Sequence, residues 1–387
     1  MTSKRPTRLY AFQIIWLIMM INTVAAEHNK VEMVVNNNNK FALELYEQLK
    51  TDNNLFFSPY SISTAMAMTY AGANGDTAKQ IAQVLHFSSQ KLHEDFMHLH
   101  TQINHQQSNL KLKMANTFYG QQGYNFTTDF KEKLKQFYQT ELLEADFAND
   151  HKQARQKINA LVEKQTTIKE LIKPGIFNEL TRLVLVNAIY FKGQWQTKFT
   201  KTISAPFWIT AKNSIKVPMM KQKGDFSYTS NNYAQIIELP YMGKVSMIII
   251  LPKQNLDKVE KLLRSRLKKW LKSLHSQKIK VYIPKFKINA NFELSQTLST
   301  MGMKDAFNNE ADFSGIDGTK KLHLSTVIHQ AFIEVNEEGT EASAATGAVF
   351  ATRGITPRFR ADHPFIFLIR HNPSNSILFM GRVINPS

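Results

Sequence analysis

The chain has 387 residues, 43% of them hydrophobic, a formal net charge of +17 and no cysteine. A chain of this length and apolar share supports one large or two ordinary domains with a sizeable core. The missing thiols exclude disulfide stapling, cysteine nucleophiles and thiolate metal sites, and neither an HExxH-like histidine pair nor a glycine-rich phosphate loop offers other chemistry.

Residues 1–26 read as a cleaved secretory signal. Lys4, Arg5 and Arg8 make a basic start, Ala11 to Ile21 is a short apolar run broken by Gln13, and Val24-Ala25-Ala26 places small residues before Glu27. A run of about 11 residues falls short of the roughly 20 that cross a bilayer, so no membrane span is expected. The mature chain, 27–387, is expected to be secreted. Loss of the three basic leader residues brings its charge to +14. A surface that basic attracts polyanions.

Residues 27–39, with asparagine at 36 to 39, read as a polar segment that frays. From Phe41, the positions Leu43, Leu45, Tyr46 and Leu49 predict a helix ending near Asp52-Asn53-Asn54. Next comes Asn54-Leu55-Phe56-Phe57-Ser58-Pro59-Tyr60-Ser61-Ile62-Ser63, a buried turn entering an apolar helix whose serine hydroxyls need partners. Thr69-Tyr70-Ala71-Gly72-Ala73 follows, and residues 88–109 are polar and rich in histidine. Asn125-Phe126-Thr127 is the only Asn-X-Ser/Thr sequon, which makes Asn125 the candidate glycan acceptor of a secreted chain.

The run from Leu183 to Phe191 is apolar throughout except for Asn187. Such a run predicts a strand buried on both faces at the centre of a sheet, and a buried amide inside it requires hydrogen-bond partners. Further strands are expected at Ala234–Pro240, Val245–Pro252 and Ile279–Ile283. Between the last two, Val259, Leu262, Leu263, Leu267, Leu271 and Leu274 recur at helical spacing and leave Lys258, Lys261, Arg264, Arg266, Lys268, Lys269 and Lys272 outside. Those seven fit a solvated basic face and fit equally a heparin-like polyanion site. No nucleic-acid recognition motif accompanies them.

Near the C-terminus, Glu337-Glu338-Gly339-Thr340-Glu341-Ala342-Ser343-Ala344-Ala345-Thr346-Gly347 begins a stretch of small residues that runs on to Arg353-Gly354. Its composition suits an exposed loop. Its alternate positions Thr340, Ala342, Ala344 and Thr346 also make a small, uncharged strand face free of proline. Both readings stand on composition alone.

That stretch, followed by Asp362-His363-Pro364-Phe365-Ile366-Phe367 and Leu378-Phe379-Met380-Gly381-Arg382-Val383, resembles the hinge, loop and C-terminal signature of the serpins. The turn around Ser58, the segment at Thr69, the apolar run through Asn187 and Ala311-Asp312-Phe313-Ser314-Gly315-Ile316 resemble the same family, so the likeness covers residues 37–387. It implies an α+β fold with a large mixed main sheet, two smaller sheets, about eight or nine helices and one exposed reactive-centre loop at about 338–357. No second domain and no repeat are expected beside it.

The resemblance also implies roles. Ser58, Ser61, Asn187 and His329 correspond to the "shutter" beneath the main sheet. Trp195 and Lys285 correspond to the "breach", where the lysine pairs with the hinge residue Glu337. The hinge itself is Glu337, Gly339, Thr340, Ala342, Ser343, Ala344, Ala345 and Thr346. A serpin is attacked by a protease as if it were a substrate, and its cleaved loop then inserts into the main sheet with the protease still attached. In the family the residue before the cut lies fourteen after the hinge glycine and eleven before the proline of the Pro-Phe pair, and Gly339 and Pro364 both point to Arg353. Arg353–Gly354 is therefore the expected reactive bond, and arginine selects proteases with an aspartate in the specificity pocket, as in trypsin.

The expected protein is thus a secreted, monomeric suicide inhibitor of trypsin-like serine proteases. It is not expected to be an enzyme, to hold a metal or to need a cofactor, with a heparin-like glycosaminoglycan as candidate modulator. The alternative within the family is a serpin without inhibition, acting as a carrier or binding protein. A bulky or proline-containing hinge marks that type, and this hinge has neither.

Overall fold

Leu183–Gly193 forms a strand buried along most of its length, and both faces are covered because the architecture is built around it. The computed structural model describes residues 31–104, 110–337 and 356–387. The leader and most of the hinge and loop lie outside them.

In chain order, the first helix, α1, spans 31–49. It is followed by β1 (Leu55–Phe57), α2 (Pro59–Tyr70), α3 (Gly75–Leu85), α4 (Leu92–Asn104), β2 (Leu110–Gln121), α5 (Thr128–Tyr138), β3 (Leu142–Ala145) and α6 (Phe147–Thr166). The central strand is β4. Then come β5 (Lys201–Thr210), β6 (Asn213–Ser230), β7 (Ala234–Pro240), β8 (Val245–Pro252), α7 (Leu256–Lys272), β9 (His275–Pro284) and β10 (Phe286–Glu293). Two short helices, α8 (Ser295–Met301) and α9 (Ser314–Asp317), precede β11 (Thr326–Val335), and the chain closes with β12 (Arg358–Arg360), β13 (Phe365–His371) and β14 (Ser376–Val383).

The expectation that residues up to 39 fray is corrected from residue 31 onward, because the helix already runs there. Val31, Val34, Val35 and Asn38 are all buried, on one helical face. The asparagines are fasteners. Asn38 Nδ2 donates to Ile377 O at 3.2 Å, and Asn39 bonds Asn375 O through Nδ2 and accepts from Ile377 N through Oδ1. The polar run is therefore held against the β13–β14 hairpin.

Five strands form the main sheet in the order β10-β11-β4-β2-β3, so β4 is its middle strand as its sequence predicts. The two smaller sheets expected from the resemblance are continuous with each other, giving nine strands in one hydrogen-bonded network. The cause is β6. Its 18 residues pair with β5 at one end, β7 at the other and β9 between.

On one face of β4, Val184, Val186 and Ala188 pack with Ile158 and Val162 of α6. On the other, Ile189 and Phe191 join Ala331, Ile333, Phe367 and Phe379 in the interior. Alternation along a strand then turns Asn187 toward the interior as well, where α2 enters. Ser58 caps α2, its Oγ accepting from Ser61 N at 3.1 Å, and Pro59 occupies the first turn where its missing N–H is not needed.

Candidate functional site: the seam between two parallel strands

β4 and β11 are adjacent and parallel, paired from Val184↔Thr326 to Phe191↔Ile333. Beyond those pairs, Gly193 is in register with Leu110 of β2, and Glu334 and Val335 with Lys287 and Phe286 of β10. The ladder between the two central strands thus ends at Phe191↔Ile333, near the end where β11 leads toward Glu337.

The middle of the seam carries a polar cluster in an apolar interior. His329 on β11 stands opposite Asn187 on β4, and its Nδ1 bonds Asn187 Oδ1. Ser58 N donates to His329 Nε2 at 3.1 Å, so Nε2 is the bare nitrogen and Nδ1 carries the proton. Asn187 Nδ2 donates to Ser61 Oγ at 2.6 Å, to Ser61 O at 3.0 Å and to Asn116 Oδ1. Ser61 Oγ in turn donates to Asn116 Oδ1 at 3.1 Å, and Ser58 Oγ to Leu378 O at 2.7 Å. All four residues expected in the shutter therefore meet here, Ser58 reaching His329 through its backbone.

Burial pushes the His329 imidazole down to about 3, which keeps the ring neutral and the tautomer as described. The contacts of His329, Asn187, Asn116 and the Ser61 hydroxyl link the start of α2 with β2, β4 and β11. Separating β4 from β11 must break the His329–Asn187 bond, and desolvated amides and imidazoles that lose a partner cost about 1–3 kcal/mol each.

A second cluster sits near the end of the ladder. Lys285 Nζ lies 2.5 Å from Glu337 Oε2, and Thr202 Oγ1 donates to the other carboxylate oxygen. Hydrogen bonds from the lysine and the threonine hold the Glu337 carboxyl below the usual range, against the opposing effect of burial. Trp195 Nε1 donates to Asn336 O at 2.9 Å, while its ring stacks on Tyr241 with centroids 4.2 Å apart. Trp195, Lys285 and Glu337 are thereby brought together at the exit of β11.

Two participants escape sequence reasoning, Asn116 and Thr202. Asn116 stands opposite Asn187 on β2. The only sign of it is a single amide within Met114-Ala115-Asn116-Thr117-Phe118, and nothing local says that its partner is Asn187. Thr202 carries no signal at all.

The hinge residues Gly339, Thr340, Ala342, Ser343, Ala344, Ala345 and Thr346 and the bond Arg353–Gly354 lie outside the described residues. The chain is followed again from residue 356. Lys280 N donates to Pro357 O at 3.0 Å, and β12 then adds in parallel to β9. Lys258, Lys261, Arg264, Arg266, Lys268, Lys269 and Lys272 are all exposed on α7, and Arg264 pairs with Glu44 at 2.6 Å. The helix is anchored from beneath by Glu260, which accepts from Tyr46 and pairs with Arg382 at 2.9 Å. Asn125 is exposed in the loop before α5, while the hydroxyl of Thr127 caps that helix and donates to Gly315 O. Among the described residues, no helix is long and apolar enough to cross a membrane.

A family model described as "Serpin (serine protease inhibitor)" matches residues 36–386. The leukocyte elastase inhibitor of Bos taurus is 42% identical over 370 residues, covering 90% of this chain and 98% of that protein. Leukocyte elastase inhibitor A of Rattus norvegicus is 41% identical over 379 residues, covering 92% of this chain and all of its own length. Among solved structures, uncleaved ovalbumin superposes with a TM-score of 0.84 at 31% identity, over 91% of this chain and 100% of that one. Maspin superposes with a TM-score of 0.86 at 32% identity, over 92% and 100%. The bare expectation that the chain is no enzyme gives way to the positive description carried by the family model, inhibition of serine proteases.

Proposed function

The chain belongs to the serpin family of serine protease inhibitors, and from that premise we propose that it is a secreted suicide inhibitor of trypsin-like proteases, cleaved at Arg353–Gly354. The observation that carries the mechanism is the direction of β4 and β11. A segment that leaves the end of β11 and doubles back runs antiparallel to both neighbours, so each edge offers it a regular antiparallel ladder. The β4–β11 ladder ends at Phe191↔Ile333, on the side from which that segment would enter.

In this reading a protease serine acylates Arg353 and releases the chain from Gly354 onward as the new amino terminus. The freed arm, with Thr340, Ala342, Ala344 and Thr346 turned inward, enters between β4 and β11. Small uncharged side chains make that entry compatible with a packed interior, where an unpaired charge would be costly. The shutter and the pair Lys285–Glu337 would hold the seam until then. The bovine and rat relatives are named for an elastase. Arginine before the cut favours instead a specificity pocket with a carboxylate, and elastase has a small pocket.

Secretion rests on the leader at residues 1–26, glycosylation on the exposed Asn125, and polyanion binding by α7 on its seven exposed cations. The deciding experiment mixes mature protein with trypsin, then reads a denaturing gel and the mass of the released peptide. An SDS-resistant complex and a peptide beginning at Gly354 are expected. Clean cleavage at Arg353 without a complex would overturn inhibition in favour of a carrier or binding role.

A further inference from the structure

A basic surface separate from α7 follows from strand register. Lys221 on β6 stands opposite Tyr282 on β9, and Tyr282 opposite Arg360 on β12. Both cations lie against the same ring, Lys221 Nζ at 5.7 Å and Arg360 Cζ at 5.5 Å from its centroid. The three therefore share one face. Two residues along each strand, the same face carries Lys223, Lys280 and Arg358, which also stand opposite one another. One step further come Asp225 and Lys278. Val281, Ile279 and Phe359, at the intervening positions, are buried on the opposite face.

Strands lie about 4.8 Å apart and same-face residues about 6.7 Å apart along a strand, so the cations form a closely spaced grid. Arg360 pairs with Asp362 at 3.0 Å. Among the described residues, Lys221, Lys223, Lys278, Lys280 and Arg358 form no ion pair with a carboxylate.

We propose that this face of β6, β9 and β12 binds a linear sulfated polysaccharide. The unneutralised grid supplies the attraction. The face has no apolar centre, because its one aromatic ring is flanked by cations. A protein partner would call for a desolvated aromatic or aliphatic anchor there, whereas a polyanion needs only closely spaced charge. The surface adjoins Pro357, whose carbonyl accepts from Lys280 N. The proposal goes beyond the inhibitory reading and does not depend on it.

Heparin serves as the probe, titrated calorimetrically against full-length mature protein across a salt series. The variant K223Q/K278Q/K280Q is compared with wild type and with K258Q/K261Q/K268Q/K269Q on α7. Each cation that displaces counterions contributes roughly 0.7–0.9 to the log–log salt slope. The sheet variant is expected to flatten that slope by about 2 and weaken binding at least about 10-fold at low salt, with an unchanged thermal midpoint. The effect should persist in the α7 background. An unchanged slope and affinity in the sheet variant would overturn the proposal, whether heparin then binds α7 or nothing. Unchanged heparin binding with slower trypsin inhibition would also overturn it, and would assign the face to the protease.

Discussion

His329 and Asn187 face each other across the parallel junction of β4 and β11, and each supplies the other's buried polar group with a partner in an apolar interior. The bond is a fastener that separation of β4 from β11 must break.

Replacing Asn187 by alanine is expected to lower unfolding free energy by about 2–4 kcal/mol. Up to two buried groups, His329 Nδ1–H and an oxygen acceptor on Ser61 or Asn116, lose their partner at about 1–3 kcal/mol each. The measurement is a urea melt, in which the midpoint should fall while the m-value stays constant. A midpoint shift below the experimental error would show that water replaces the amide.

Stability should fall with acid. The folded His329 ionises near 3, and His93 and His371, both lowered mainly by burial, near 4. An unfolded histidine takes up its proton near 6.5. Between those values the unfolded state binds more protons, so stability is complete above about pH 6.5 and is lost as pH falls toward 3. For His329 alone the loss at pH 4.5 is about 2–3 kcal/mol. His363 acts oppositely, its folded pKa being raised by Asp362 and Pro252 O against burial, so it gives stability at low pH that vanishes as pH rises. Thermal midpoints of wild type and His329→Gln across pH 4.5–7.5 check this. The wild-type curve should be the steeper.

Lys285→Met should change global stability by less than about 1 kcal/mol, since both partners of the Glu337 pair are about one-third exposed and screened. The same change should shift trypsin titrations, altering how much inhibitor each trapped protease consumes. A large loss of stability with unaltered titration would make the pair a structural brace.

Ala344→Pro should leave cleavage at Arg353 intact and remove the SDS-resistant complex. Proline deletes a ladder donor from a segment proposed to become a central strand. A persistent complex would mean that the arm does not pair at that position.

Arg353→Val should slow trypsin inhibition on the order of 1,000-fold or more, because the carboxylate of the pocket is left unpaired. Inhibition of an elastase should rise in return. Equal trypsin rates in both proteins would move the reactive bond elsewhere.

Much of this was legible before folding. The apolar run around Asn187 announced a strand buried on both faces, since only a doubly covered strand escapes polar alternation. The period of Val259, Leu263 and Leu267 announced α7, while the bond that the spacing of Gly339, Arg353 and Pro364 points to lies outside the described residues. What failed was the polar stretch before residue 40. Asn38 and Asn39 read as solvent-seeking because their acceptors, the carbonyls of Ile377 and Asn375, lie more than 300 residues away.

Local pattern thus determined which segments are buried and at what period, because burial and backbone geometry act on neighbours in the chain. Only the tertiary structure decided that β4 and β11 run parallel side by side, that Asn116 completes the cluster, and that Thr202 meets Glu337. The same holds for Lys223, Lys280 and Arg358, three separate residues in the sequence that strand register assembles into one charged face. Register and strand order are set by the packing of the whole sheet, and no window of sequence contains them.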